Sequence, residues 1–227
     1  MIFTKIGGAD PDMTHPIDSI EFASLLCSRL CHDLLSPVGA LNNGLELMAD
    51  ETDPDMRQRC LDLLADSART SANKLKYFRL AFGSAGGFGD AVPPHEARVA
   101  IEGMFAGTGR VKVGWMVEEQ MLGKLPVKVL LNLALIVGDA LVRGGQLDIG
   151  AEKRPGVTEI VVRGEGPKVV LDPDLRAALA GTLPPEGLAS RTAAAWMVRQ
   201  LVTGAGGEIA LSPPGEPVLL FGASIPG

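Results

Sequence analysis

The chain has no surplus of positive charge: 21 Lys and Arg stand against 27 Asp and Glu, a formal net charge of −6 with a pI near 5.1. The basic residues are scattered, so no stripe exists that would neutralise a phosphate backbone, and nucleic-acid binding is set aside. Long hydrophobic runs are missing too. No stretch reaches the roughly 18 uninterrupted apolar residues of a membrane span, and the opening MIFTKIGGADPDMTHP carries no apolar segment of the signal-peptide kind. A cytoplasmic protein is expected. Cysteine is scarce and odd in number: Cys27, Cys31 and Cys60 read as reduced thiols serving as small core residues of helices. Their spacing to His15, His32 and His95 is not that of a metal site, so no metal ligands are assigned.

What the chain does have is a hydrophobic content of 46% over 227 residues, enough for a real core in one large or two modest domains. It divides at a run of glycines and prolines without periodicity, GSAGGFGDAVPP at 83–94, which marks a linker between 1–82 and 95–227. Everything before that linker reads as helix. The first helix starts at Asp18 as cap, with Glu21 three positions later in the place of a capping box, and runs to about Met48. Within it Ile20, Cys27, Leu34, Leu41 and Met48 recur every seven residues, interleaved with Ser24, Cys31, Val38 and Leu45, the pattern of a coiled-coil seam. Asp53 and Pro54 restart the chain as cap and first helical residue. The second helix carries Leu61, Leu64, Ala68, Ser71, Leu75, Phe78 and Phe82 at the same spacing, and the short loop makes the pair an antiparallel hairpin. Such a hairpin cannot bury its apolar face alone. A homodimer joined as a four-helix bundle is expected, the other solution being that residues 95–227 fold back over that face.

Within the first helix lies Cys31-His32-Asp33-Leu34-Leu35-Ser36-Pro37. His32 follows a seam position by one residue, which turns it about 100° away from the seam and toward water. Pro37 removes the backbone donor that would bond the carbonyl of Asp33, freeing that carbonyl about one turn from the histidine. An exposed imidazole is a nucleophile at neutral pH and accepts a phosphoryl group without prior activation by a base. Asp33 is placed to orient the ring or to hold its other nitrogen as the donor tautomer.

The second half reads as an α/β sandwich: helices at 95–106, 126–143, 172–180 and 191–202, and strands at 110–117, 146–152, 158–163, 208–212 and 217–223. The alternation in Gln146-Leu147-Asp148-Ile149-Gly150 is that of an antiparallel sheet with one covered face. Gly144-Gly145 and Gly206-Gly207 sit where turns enter strands.

At this point the residues resemble a family. His32-Asp33-Leu34-Leu35-Ser36-Pro37 is similar to the H-box of histidine kinases, and the hairpin plus α/β half resembles their dimerisation domain followed by their Bergerat-type ATP-binding domain. The segment from Leu130 to Gly145 resembles the kinase N-box helix, and Trp196 to Val202 with Gly206-Gly207-Glu208-Ile209 the last helix and strand. Three departures stand out. Ile136 takes the place of the asparagine that binds magnesium, Val162 that of the adenine-reading aspartate, and Ser190 to Ala195 that of the glycine-rich lid. The fold class implied is α+β, a dimeric helical bundle followed by a degenerate Bergerat-type sandwich with no cofactor of its own. A kinase shape that keeps its histidine but lacks the nucleotide-binding groups resembles the ChpT family of histidine phosphotransferases. That resemblance implies transfer onto His32 from the receiver domain of a hybrid histidine kinase, and from His32 to CtrA-like and CpdR-like response regulators, with Mg2+ supplied by the receiver. It implies docking on the helix face after the histidine, namely Leu35, Gly39, Asn42, Asn43 and Glu46, with Arg163 or Lys168 as candidates for a second contact. The alternatives are a dimeric adaptor with an idle His32, or a residual histidine kinase or phosphatase in which Ser36 positions water.

Overall fold

The structure, a computed structural model, describes residues 4–5, 18–83, 91–107 and 109–227. Two long helices come first, α1 (Ser19–Asp50) and α2 (Pro54–Ala81). The Asp18 carboxylate accepts from the N–H of Ile20 at 3.1 Å, and that of Asp53 from the N–H groups of Asp55 and Met56 at 2.8 and 3.2 Å, so both N-termini have orphan donors satisfied by side chains. Arg57 donates to the Glu51 carbonyl at 2.8 Å, closing the far end of α1 with a cation. With so tight a connection the helices must run antiparallel, as the caps predict.

Pro37 and Gly44 of α1 and Cys60 and Ser67 of α2 are buried along this hairpin, and Tyr77, Phe78 and Ala81 are buried toward the end of α2. A Cβ on Gly44 would lie 3.0 Å from the Leu64 side chain, so the two backbones approach closely there. The heptad series divides: Leu34, Leu41, Met48 and Leu64 are half-buried and Phe78 is buried. Ile20, Val38 and Leu45 of α1 and Leu61 and Leu75 of α2 are exposed, as are Cys27 and Cys31, which corrects the placement of those two thiols in the core; Cys60 alone is buried. Val38, Leu45, Leu61 and Ala68 each follow a buried residue by one position, so each is rotated about 100° in the same sense around its own axis. In an antiparallel pair equal rotations of one sense carry both stripes to the same side of the hairpin. The opposite side meets the rest of the chain: Phe22 packs on Trp196 with ring centroids 4.6 Å apart, and Asn73 donates to the Gly103 carbonyl at 3.2 Å.

Residues 84–90, most of the expected linker, lie outside the described residues. Its remainder contributes β2 (Ala91–Val92), which pairs with β4 (Leu122–Gly123) as a two-stranded ribbon. Then come α3 (Pro94–Ala106), β3 (Val111–Val117), α4 (Lys124–Ala140), β5 (Gly145–Arg154), β6 (Val157–Glu165), α5 (Pro173–Ala180), α6 (Ala193–Gly204), β7 (Glu208–Leu211) and β8 (Val218–Pro226). With β1 (Thr4–Lys5) they form a six-stranded sheet of order β1-β7-β8-β6-β5-β3. Every neighbouring pair is antiparallel except β3 and β5, which are parallel, so the sheet is mixed rather than antiparallel.

Alternation decides which face is covered. Leu147, Ile149, Ile160, Val162, Leu219, Phe221, Ile209 and Leu211 point to the helices and are buried, and α4, nearly all apolar, lies against them. Tyr77, Phe78 and Ala81 from the end of α2 join the same core. Gly144 and Gly145 turn α4 into β5 at φ +78° and +147°, conformations that require glycine, and a Cβ on Gly145 would strike the Glu165 carbonyl. Among the described residues no helix is long and apolar enough to cross a membrane.

Candidate functional site

His32 stands on the middle of α1 with 83% of its side chain open to solvent. Its Nδ1 lies 3.2 Å from Oδ1 of Asp33, whose own side chain is only 13% exposed. When Nδ1 carries the proton, Asp33 accepts it and the lone pair is on Nε2, which faces water. The contact between adjacent helix residues is possible because Asp33 leans back along the helix toward Arg29, which donates to Oδ2 from Nε at 2.6 Å. That leaves Oδ1 for the histidine.

The carbonyl that Pro37 frees is not left to water. Lys74 of α2 donates to the Asp33 carbonyl oxygen at 2.7 Å, so the ammonium takes the place of the missing N–H and pins the turn carrying His32 to the second helix. We expect Lys74→Met, which keeps the apolar stem and loses the donor, to lower stability by about 1–3 kcal/mol, since a partly buried carbonyl loses its partner. Urea denaturation of the two proteins measures this. Equal midpoints would mean that the carbonyl finds water and that the lysine contributes nothing there.

Arg29 also reaches out of the hairpin. Its Nη2 donates to Oδ2 of Asp139 at 2.7 Å, at the carbonyl end of α4, where a cation also meets the negative end of the helix dipole. Burial pulls the guanidinium down, but Asp139 and Asp33 more than offset it and hold Arg29 above its usual range. Desolvation raises the Asp139 carboxyl above its ordinary range, and the charge and hydrogen bond of Arg29 oppose that rise. Close by, burial pushes the Tyr77 phenol well above its ordinary range, with Asp139 adding to the shift, and its hydroxyl donates to the Leu131 carbonyl.

The residues after the histidine share its face. Leu35, Gly39, Asn42, Asn43 and Glu46 all fall within about 80° of His32 around the helix axis, running toward the hairpin loop. Leu35 is 69% exposed, Asn42, Asn43 and Glu46 are exposed, and nothing lies within 4 Å of a Cβ built on Gly39. The face is open and shallow. Arg163, by contrast, is committed to Asp148 and Glu165 on the open face of the sheet.

In the second half Ile136 on α4 and Val162 on β6 are both buried in the core. The segment at Ser190 to Ala195 is pinned rather than loose: Arg191 pairs with Asp172 and Asp174, and the buried Thr192 hydroxyl accepts from the Ala189 N–H at 2.9 Å. Among the described residues no cluster of His, Cys, Asp and Glu is arranged to hold a metal ion. Of the groups around His32, Arg29 is legible in the sequence as the partner four residues before Asp33. Lys74 and Asp139 carry no sequence signal at all, because only the packing of the fold brings them there.

The family model described as the histidine phosphotransferase C-terminal domain matches residues 94–217. Protein phosphotransferase ChpT of Brucella abortus (strain 2308) is 31% identical over 204 residues, covering 89% of this chain and 95% of the relative. A solved structure of a bacterial phosphotransferase superposes with a TM-score of 0.81 at 28% identity, covering 93% of this chain and all of that one. A family model that spans more than half of the chain, and a relative aligned over nearly all of it, place this protein in the histidine phosphotransferase family.

Proposed function

We propose that the protein is the histidine phosphotransferase of a multistep phosphorelay and that His32 is its phosphoacceptor. One observation carries the assignment: an imidazole almost wholly exposed at one nitrogen and held at the other by a carboxylate that is itself nearly buried. The donor is the aspartyl phosphate of a receiver domain on a hybrid histidine kinase. The Nε2 lone pair of His32 attacks phosphorus, the P–N bond forms as the P–O bond to the receiver carboxylate breaks, and the carboxylate leaves with the electron pair. The ring keeps its proton on Nδ1, where Asp33 stabilises the positive charge that develops. The reverse step onto the aspartate of a response regulator, CtrA-like or CpdR-like, restores the neutral imidazole. No proton enters or leaves. The Mg2+ that neutralises the transferring phosphoryl belongs to the receiver, so this chain contributes position and one charge-assisted hydrogen bond.

Leu35, Gly39, Asn42, Asn43 and Glu46 form the receiver's platform. Residues 1–82 act as the phosphotransfer and dimerisation unit and 95–227 as a degenerate Bergerat-type domain. Hydrocarbon at Ile136 and Val162 supports the loss of nucleotide binding, since neither side chain ligates a hard cation or accepts from an adenine amine. The homodimer rests on the two apolar stripes that the single chain leaves open on one side of the hairpin.

The test is label transfer. A receiver domain phosphorylated with radiolabelled phosphate is mixed with the protein, and a parallel sample receives labelled ATP and Mg2+ alone. We expect acid-labile, base-stable label from the receiver and none from ATP. Label from ATP would establish a residual kinase instead, and no label from either source an adaptor.

A further inference from the structure

The two nitrogens of one edge of the Arg29 guanidinium, Nε and Nη2, are the pair that ordinarily grips a single carboxylate in two parallel bonds. Here they are divided. Nε holds Asp33 at 2.6 Å and Nη2 holds Asp139 at 2.7 Å, on a helix 110 residues away in sequence. The division has a chemical effect. Were both nitrogens on Asp33, its carboxylate would turn to face Arg29 and Nη2 would compete with the Nδ1 proton of His32 for Oδ1. With Nη2 engaged by Asp139, Asp33 is gripped at Oδ2 only and Oδ1 stays free for the ring at 3.2 Å.

We propose that Asp139 is a positioning residue for His32: by holding Nη2 of Arg29 it keeps Asp33 bonded to Nδ1, which sets the tautomer that leaves Nε2 as nucleophile. The inference deepens the phosphotransferase reading and rests on His32 being the acceptor. It gives the second half of the chain a part in the transfer step without any contact to the phosphoryl group. The degenerate domain carries the carboxylate that adjusts the hairpin's histidine.

An imidazole side chain left to water favours the proton on Nε2, so the tautomer is a direct readout. The experiment records the 15N shifts of the His32 ring at mildly alkaline pH in the full-length protein and its Asp139→Ala, Asp139→Asn and Asp139→Glu variants. Phe22→Ala, which loosens the contact of α1 with α6 and touches none of these groups, serves as control. We expect the Nδ1–H form to dominate in wild type and in Asp139→Glu, and to give way toward Nε2–H in Asp139→Ala, with acceptance of phosphoryl slowed about tenfold, far less than when a tautomer-holding carboxylate is itself replaced. Phe22→Ala should leave the ring signals unchanged. If Asp139→Ala fails to fold, Asp139→Leu, close to aspartate in size and without an acceptor for Nη2, carries the same test. An unaltered tautomer ratio in the variant, whatever its rate, would overturn the proposal and reduce Asp139 to a staple between the halves. Failure of the phosphotransferase reading would show separately, as wild type that takes no label.

Discussion

Replacing His32 by alanine is expected to remove phosphoryl acceptance at this site, a loss of more than about a thousandfold that none of the described groups around the ring makes good. The reason is chemical isolation. Around the ring stand a carboxylate held by Arg29, a lysine committed to a carbonyl, and Ser36, which has no base beside it. The carboxylate and the hydroxyl have no nitrogen with which to form a phosphoramidate, and the lysine nitrogen is engaged with the Asp33 carbonyl. The substitution should not unfold the protein, because a side chain 83% exposed contributes little packing, and such surface changes fall within about 0.5 kcal/mol. Three measurements on the same preparation separate the readings: label uptake from a phosphorylated receiver, receiver affinity by calorimetry, and thermal unfolding. Lost label with near-normal affinity and melting assigns the chemistry to His32. Retained label would remove His32 from the mechanism. Equal binding and no label in either protein would leave a dimeric adaptor.

Much of this site can be read from the sequence, and its limits have a physical cause. The caps Asp18 and Asp53, the tight connection and the heptad spacing are local signals, and local signals suffice for two helices in antiparallel contact. The exposure of His32 follows from one residue of offset. The consequence of Pro37 is legible too, since a missing N–H must free a particular carbonyl. The identity of the group that answers it is not, because Lys74 arrives across 41 residues only once the hairpin has its register. Asp139 is further still, and nothing in its helix sets it apart from any aspartate near a helix end. The sheet gives the same lesson. A period of two marks β5 and β6 as strands with one covered face but is identical for parallel and antiparallel partners, so the parallel pairing of β3 with β5 carries no sequence signature. Strands of two residues such as β1, β2 and β4 have no period to detect. Cys27 and Cys31 fall outside the expected core for a related reason: the heptad locates a seam without saying whether the chain or a second copy covers it.

That seam is where the other large effect is expected. Leu45→Glu combined with Leu61→Glu should convert a homodimer into a monomer with the hairpin helices intact. Both leucines are exposed on the single chain, at 59% and 47%, so charging them disturbs no packing within it. In a two-fold bundle each position occurs twice, and four leucines that would be buried become four carboxylates facing one another. At about 1.5–3 kcal/mol for each leucine side chain buried, the lost apolar contribution alone is about 6–12 kcal/mol, before the repulsion among like charges is added. Since each 1.4 kcal/mol is a factor of ten in affinity, no dimer of ordinary strength survives that. Sedimentation velocity reads the change in mass, and far-ultraviolet circular dichroism shows whether the helices persist. A double variant that stays dimeric would place the interface elsewhere, and a monomeric wild type would mean that the stripe serves another partner. Helix should be retained in either case. The second half of the chain packs on the opposite side of the hairpin, through Phe22, Arg29, Asn73 and Tyr77, and those contacts hold α1 and α2 whether or not a second copy is present.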